Sequence, residues 1–161
     1  MRTSQRLLAL FLCGLLCFAC CSCDDGQNGQ DTQQDAQTIA DCVALLGQPE
    51  QQLVETLGEG QRTLIEGTQE TLFREYSLSL FGQSIPFLAT IDLGCLLDFS
   101  AEVDGTCEQW LETIEGSLGE AAQTQQDDTT QYLWACEGGG LALVSSQDTL
   151  TLRFYQQQPA A

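Results

Sequence analysis

Short runs in which apolar and polar residues alternate are the feature that most constrains the fold of this chain. Every second residue is apolar in residues 76–80, 85–91 and 150–154. Successive side chains of a strand point to opposite faces of a sheet, so such runs place their regularly spaced apolar side chains on one face. The pattern therefore predicts antiparallel strands that bury one face and expose the other.

Amphipathic helix patterns precede these runs. Apolar residues recur at three- and four-residue steps over residues 107–118, and Thr106 with Gln109 fits a capping box at the start of that helix. An earlier helix is expected to open at Pro49 and to end at Gly58. Proline suits the first helical position, and glycine suits the residue that follows the last turn.

The helix patterns and the runs after them look like one unit written twice. Residues 52–57 (QLVETL) are similar to residues 109–114 (QWLETI), and the repeat halves fall at about 38–103 and 104–155. Each half is expected to form a helix and a three-stranded meander. The predicted fold is α+β, with tandem helix-plus-β-meander repeats whose helices pack on one face of an antiparallel sheet. Alternatively, any helix followed by hairpins would show such a similarity.

The N terminus predicts an export leader. Arg2 and Arg6 precede an apolar run over residues 7–19, which has the length of a signal-peptide core and is short for a membrane span. Two cysteines after this run, Cys20 and Cys23, each follow a small residue, as in bacterial lipoproteins. Cys20 is therefore the expected lipid-bearing residue, and Cys23 is the second choice.

Residues 1–23 are accordingly interpreted as a lipoprotein signal peptide and lipidation region. An ordinary secretory signal cut nearby is the alternative, and a metal site in the cysteine cluster is a third interpretation that lacks a second ligand pair. A lipid anchor would place the protein in the bacterial cell envelope, on the outer face of the membrane. Without the lipid the protein would be secreted.

Polar segments flank the predicted domain. Residues 24–37 are rich in Asp, Gln and Gly and are expected to form a disordered tether, because they cannot bury enough apolar surface to fold. Residues 38–155 are expected to form a single domain, beginning with a short helix that ends at Leu46. Residues 156–161 are expected to form a frayed tail.

The charge of the chain restricts its partners. The sequence has 161 residues, 23 acidic residues, five arginines, no lysine and no histidine, which gives a net charge of −18. A field of that sign repels nucleic acid, so nucleic-acid binding is excluded. The expected partners are the membrane, through the N-terminal lipid, and a protein.

The residue types that are missing argue against catalysis. Without histidine or lysine the chain has no Ser-His pair, no Schiff-base lysine and no His-ligated metal. We therefore expect no catalytic residue, no cofactor and no metal. Carboxylate pairs, Glu112 with Glu115 or Asp127 with Asp128, leave a cell-envelope hydrolase as an alternative. Calcium binding by acidic loops is a further one.

Four cysteines fall within the predicted domain, at Cys42, Cys95, Cys107 and Cys136. All four occupy apolar positions of their patterns. Outside the cytoplasm an even count is typical of disulfides, and these residues are the disulfide candidates, with three possible connectivities. The alternative is four buried free thiols that pack as small apolar residues.

The aromatic residues divide into two groups. Trp110 and Trp134 occupy inward positions of their patterns and are expected to pack in the core rather than to stack on a carbohydrate. Other large apolar residues fall on the opposite face or in loops and could form a groove for a partner. These are Phe73, Phe81, Leu88 and Tyr155.

One segment carries a family resemblance. Residues 47–58 (GQPEQQLVETLG) resemble the glycine-to-glycine helix segment of the β-lactamase-inhibitor-protein-like superfamily, which includes small outer-membrane lipoproteins of the SmpA/OmlA type. Gln48 and Pro49 stand where those proteins often have Met and Thr. The resemblance implies a binding or scaffold protein without catalytic activity. An inhibitor or immunity-like protein that blocks an envelope enzyme is the alternative that it also allows.

Overall fold

The alternating runs form strands of one antiparallel sheet in the computed structural model, which describes residues 27–65, 71–147 and 149–157. These residues form three helices and eight strands, so the predicted α+β class is confirmed. In chain order they are α1 (Gln27–Leu45), α2 (Glu50–Leu57), β1 (Gln61–Leu64), β2 (Thr71–Leu80), β3 (Gln83–Asp92), β4 (Cys95–Glu102), α3 (Cys107–Leu118), β5 (Ala122–Gln126), β6 (Thr129–Cys136), β7 (Gly139–Ser146) and β8 (Thr149–Gln156).

The sheet consists of two four-stranded meanders that meet at their last strands. The strand order is β1-β2-β3-β4-β8-β7-β6-β5, and every neighbouring pair is antiparallel. β2 and β3 share ten residue pairs, whereas β4 and β8 share three, from Ser100–Arg153 to Glu102–Thr151. Towards Cys95 on β4 and Gln156 on β8, the two strands diverge.

Two-residue turns fix the register of the hairpins. At the β2–β3 turn Phe81 and Gly82 have φ angles of 54° and 69°, and at the β3–β4 turn Leu93 and Gly94 have 50° and 77°. Positive φ at both central residues defines the turn type whose twist matches that of the flanking strands. The run of three glycines, expected to form a turn, contributes Gly138 to the β6–β7 turn and its other two residues to β7.

Three phenylalanines join the two meanders in the core. Phe87 of β3, Phe99 of β4 and Phe154 of β8 are at most 1% exposed, and their ring centroids lie 4.9–5.4 Å apart. Aromatic pairs at this spacing contribute roughly 1 kcal/mol each beyond the area that they bury. The cluster therefore reinforces the sheet where its backbone pairing is shortest.

Helix α1 is longer than the sequence indicated. The predicted tether over residues 24–37 is wrong from Gln27 onward, because that part is helical. Asp35 is buried at 5% exposure, and its Oδ1 accepts a 3.0 Å hydrogen bond from the backbone N–H of Phe81. The buried face of α1 thus begins N-terminal to Ile39, at the carboxylate of Asp35. The polar composition of this segment does not indicate that burial. α1 contacts α3 and strands β2, β6, β7 and β8.

The ends of α2 and α3 follow the sequence patterns. Pro49 is the N-cap of α2, and the helix proper begins one residue later. Thr106 Oγ1 accepts a hydrogen bond from the backbone N–H of Gln109, and Gln109 Oε1 accepts one from the N–H of Thr106. This capping box was predicted. Gly58 and Gly119 end the two helices with φ of 87° and 83°.

Each helix of this pair is followed by four strands rather than the three that were expected. The outer strands β1 and β5 were missed because every residue in them is exposed, so neither carries an apolar alternation. Pro86 was expected at an edge or a bulge. It pairs with Ser77 on β2, and β4 pairs with β3 only from Leu88 onward, so the proline lies on a locally open edge.

The prediction of a frayed tail over residues 156–161 is wrong at its first two residues, Gln156 and Gln157, which are hydrogen-bonded. The side-chain amide of Gln156 donates a 2.7 Å hydrogen bond to the carbonyl oxygen of Leu46, and the N–H of Gln157 bonds to the carbonyl oxygen of Gly138. Residues 158–161 lie outside the described part of the chain.

Candidate binding surface

A groove opens where β4 and β8 diverge. It has a volume of about 560 Å³ and lies partly on the solvent-facing side of the sheet. We call it the β4–β8 groove. Its lining combines large apolar side chains with a few polar ones, drawn mainly from strands β4, β6, β7 and β8. The lining includes Leu97, Asp98, Leu133, Ala142, Val144 and Arg153.

An ion pair crosses the groove from one meander to the other. Arg153 Nε on β8 lies 2.5 Å from Asp98 Oδ1 on β4, and Ser100 Oγ donates a 2.7 Å hydrogen bond to Asp98 Oδ2. The arginine side chain is 56% exposed and that of Asp98 is 23% exposed, so the pair is open to solvent mainly on the arginine side. A solvent-exposed pair of this kind contributes little to stability, about 0.5 kcal/mol, and its charges are available to a ligand.

A β-bulge explains the exposed leucine of the groove. Thr90 pairs with Asp98, and the next residue, Ile91, pairs with Leu96, so Leu97 is an extra residue on β4. Leu97 is 65% exposed as a result. Bulges re-aim side chains in this way. On the other wall, Ala142 of β7 is buried although it does not belong to the main core cluster.

The turn between α1 and α2 closes one end of the groove. The N–H of Gly47 donates a 2.7 Å hydrogen bond to the carbonyl oxygen of Leu96, and the N–H of Leu96 donates one to that of Gln48. Together with the bond from Gln156 to Leu46, these contacts fix the turn to both diverging strands. The groove is therefore a built feature, held open by hydrogen bonds to β4 and β8.

A second, more apolar pocket of about 440 Å³ lies between α1, the end of α3 and β6. Ile39, Leu118 and Trp134 form much of its wall, and Ala122, the first residue of β5, lies at its margin. Pairing between β5 and β6 stops at Ala122 and Leu133. The remainder of β6 continues past the start of β5, and the pocket lies beside the part that β5 leaves unpaired.

Two of the three arginines in the described residues belong to a structural cluster that the sequence did not reveal. Arg74 on β2 is 7% exposed, and its Nε and Nη2 donate hydrogen bonds of 2.8 and 2.7 Å to Glu50 Oε1 at the start of α2. Its Nη1 donates to the carbonyl oxygen of Glu59. Arg62 Nε lies 3.7 Å from the same Glu50 oxygen. A register that places Arg74 on the buried face would have indicated this pairing.

The four cysteines predicted as disulfide candidates are free thiols in the structure. The formation of disulfides between them stays a prediction. Cys42 is fully buried in α1, and Cys95 is exposed at the start of β4. Burial raises the pKa of the Cys42 thiol to about 12, with a smaller contribution from the charge of Asp41. Burial likewise raises the pKa of Cys107 and that of Cys136.

The two carboxylate pairs predicted for a hydrolase lie outside both cavities. Glu112 and Glu115 are exposed on α3, and Glu115 Oε1 accepts a hydrogen bond from the N–H of Ala121. Asp127 and Asp128 are exposed in the β5–β6 turn. Among the described residues no cluster of three or more potential metal ligands occurs.

Trp110 and Trp134 belong to the core cluster, as expected. Of the four residues expected to form a partner groove, Tyr155 lines the β4–β8 groove and Phe81 packs against the core. Leu88 is 40% exposed. The remaining one, Phe73, is half-buried on β2.

Comparison with known proteins adds no assignment. The chain matches no protein-family model, no curated protein and no solved structure. The superfamily resemblance over residues 47–58 therefore stays a prediction. The proposed lipidation residues, Cys20 and Cys23, lie outside the described residues. Over the described part of the chain, no helix is both long and apolar enough to cross a membrane.

Proposed function

We propose that the chain contains an internal repeat of two equivalent halves. Each half is a helix followed by four strands, and the helices cover one face of the sheet. The strand order is symmetric about the β4–β8 junction. The glycines that end α2 and α3 share a backbone conformation, with φ, ψ of 87°, −175° at Gly58 and 83°, −173° at Gly119. These similarities support the repeat independently of the sequence similarity.

The function we propose is that of a non-catalytic binding or scaffold protein that docks a protein partner on the β4–β8 groove. The observation that supports this is the exposed Leu97 beside the Asp98–Arg153 ion pair in a concave site of about 560 Å³. Apolar contact supplies affinity in such sites, and a few placed polar groups orient the ligand. A partner's carboxylate could pair with Arg153, and a partner's cation with Asp98.

We further propose that this protein works in the bacterial cell envelope, held on the outer face of the membrane by a lipid on Cys20, or on Cys23 as the second choice. The apolar run over residues 7–19 and the cysteines after it support this location. Because α1 begins at Gln27, either cysteine would hold the domain near the bilayer. Without the lipid, the protein would be secreted.

Site-specific photo-crosslinking in envelope membranes tests the docking surface. A benzophenone residue in place of Leu97 should crosslink to one protein, and the same residue in place of Glu55, exposed on α2, should not. Arg153→Glu should reduce the Leu97 crosslink at least fivefold, because it turns the cation of the groove into a second anion. Equal crosslinking at both positions, or none at either, would refute a partner in the groove.

Lipid labelling tests the location. A radiolabelled fatty acid should be incorporated into the expressed chain, and Cys20→Ser should abolish the label while Cys23→Ser leaves it. Loss of the label in Cys23→Ser alone would make Cys23 the modified residue. Absence of label in the unmodified chain would exclude the anchor and leave a secreted protein.

A further inference from the structure

The outer edge of β5 is an open sheet edge without the usual protection. β5 is the last strand of the sheet, and among the elements of the described chain only β6 makes extensive contact with it. All five residues, Ala122 to Gln126, are exposed. Alternate residues of such a strand direct their N–H and C=O groups away from the sheet, where they can pair with another extended chain.

Natural edge strands are commonly protected by lysine, proline or a bulge. The sequence of β5 is AQTQQ, with no charge and no proline, and its pairing with β6 runs through five consecutive residue pairs without interruption. The opposite edge differs, since β1 is four residues long and carries Arg62. β1 therefore serves as a control edge within the same sheet for any binding to β5.

Charge decides what could pair with β5. No arginine or lysine occurs between Arg74 and Arg153, whereas nine acidic residues lie in residues 103–152. Three of these are exposed and lie within two residues of the strand, Glu120 before it and Asp127 and Asp128 after it. A second copy of this chain would bring equal negative charge to the edge and be repelled, while a basic segment would be attracted.

We propose that the free edge of β5 receives an extended, basic segment of a partner protein as a ninth strand. Main-chain hydrogen bonds to β5 supply the pairing, and lysine or arginine side chains of the segment lie near the carboxylates at either end of the strand. Edge lysines prevent two copies of a protein from pairing edge to edge. The negative charge of this chain has the same effect, and it still allows a positively charged strand to bind. This surface is separate from the β4–β8 groove, and neither proposal depends on the other.

Peptide binding to the full-length chain in non-ionic detergent tests this inference. The probe is an eight-residue peptide of alternating lysine and valine, and its charge control alternates glutamate and valine. The lysine peptide should bind and the glutamate peptide should not. Affinity should fall at least tenfold when the four central backbone nitrogens of the lysine peptide are methylated, because methylation removes the donors and leaves the charge unchanged. Equal binding of the methylated peptide would overturn strand addition.

A matched pair of variants locates the site. Thr124→Lys on β5 should weaken binding of the lysine peptide at least fivefold, and Thr63→Lys, the same change on the exposed edge strand β1, should leave it within twofold. Equal effects, or no binding of the lysine peptide at all, would overturn the proposal. A dimer of the unmodified chain that Thr124→Lys abolishes would assign the edge to a second copy and would also overturn it.

Discussion

Trp134 Nε1 donates a 2.9 Å hydrogen bond to the carbonyl oxygen of Gly119, the residue that ends α3. In the first half of the chain, Tyr76 Oη donates a 3.2 Å hydrogen bond to the carbonyl oxygen of Gly58, which ends α2. Tyr76 lies on β2 and Trp134 on β6, the second strand after each helix. An aromatic donor at equivalent places therefore fixes the end of each of these helices to the sheet.

Removing the first of these donors should destabilise the protein modestly. Tyr76→Phe keeps the ring in the core and loses the hydrogen bond to Gly58, so we expect the free energy of unfolding to fall by about 1 kcal/mol. Denaturant unfolding followed by circular dichroism measures the change. Tyr155→Phe is the matched control, because the Tyr155 hydroxyl makes no hydrogen bond to a described residue. Equal losses in the two variants would contradict a stabilising role for the Tyr76 bond.

The Glu50–Arg74 pair should be more sensitive. Glu50→Gln removes the closer of two carboxylates beside a guanidinium that is only 7% exposed, and it leaves that charge with the exposed Glu59 carboxylate at 3.5 Å; weakening the pairing of a buried charge is costly. We expect a loss of about 2 kcal/mol, since Glu50 is itself partly exposed. Glu55→Gln, an exposed change on the same helix, should cost about 0.5 kcal/mol or less. Similar denaturation midpoints for the two variants would show that the buried pair does not hold α2.

Two glycine substitutions should have opposite signs. A Cβ on Gly140 would lie 2.1 Å from the carbonyl oxygen of Trp134 and 2.9 Å from the ring of Tyr155, so Gly140→Ala should cost about 2 kcal/mol or more. Gly116, within α3, has nothing within 4 Å of an added Cβ. Gly116→Ala should stabilise by about 0.5–1 kcal/mol, because alanine has the higher helix propensity. Thermal unfolding measures both, and a tolerated Gly140→Ala would contradict the close approach.

Alkaline pH should destabilise the fold partly through Cys42. Burial raises its pKa from 9.0 to about 12, so between these pH values the unfolded chain releases the thiol proton while the folded chain retains it. Stability contributed by this thiol is therefore fully present below pH 9 and falls as pH rises, by up to about 1.4 kcal/mol per pH unit. Cys42→Ala should show a shallower decline in unfolding free energy, measured by denaturant titration on both sides of pH 9. Parallel pH profiles would contradict the prediction.

Thiol labelling provides a separate check on the cysteines. A maleimide should react readily with the exposed Cys95 of the native protein and with Cys42 only after unfolding. Cys95→Ser should remove the fast phase, which identifies its source. Resistance of all four domain cysteines to labelling after unfolding would instead indicate that they are paired in disulfides.

The inner strands could be predicted because burial of one face leaves an alternation in the sequence. Tyr76 and Leu78 on β2 and Phe154 on β8 are buried where the pattern placed them. The capping box at Thr106 could also be predicted, because its two residues bond to each other's backbone across one turn. Local chemistry of this kind does not depend on the rest of the fold.

Other features could not be read from the sequence, because they depend on distant partners. β5 has no apolar residue beyond Ala122, and pairing with β6 alone makes it a strand. Asp35 looks like part of a polar segment until its bond to Phe81, 46 residues away, is known. The β4–β8 groove brings together Asp98 and Arg153, which lie 55 residues apart, and it exists only because a bulge at Leu97 and the divergence of two strands coincide.

The short junction between β4 and β8 has a mechanical consequence. Three residue pairs and one further backbone hydrogen bond, from Val103 to Leu150, resist separation there, whereas β8 shares eight residue pairs with its other neighbour, β7. A force that pulls the two meanders apart would therefore separate β4 from β8 before it separated the strands within either meander. The three phenylalanines and the turn after α1 are then the elements that decide how much load the protein bears.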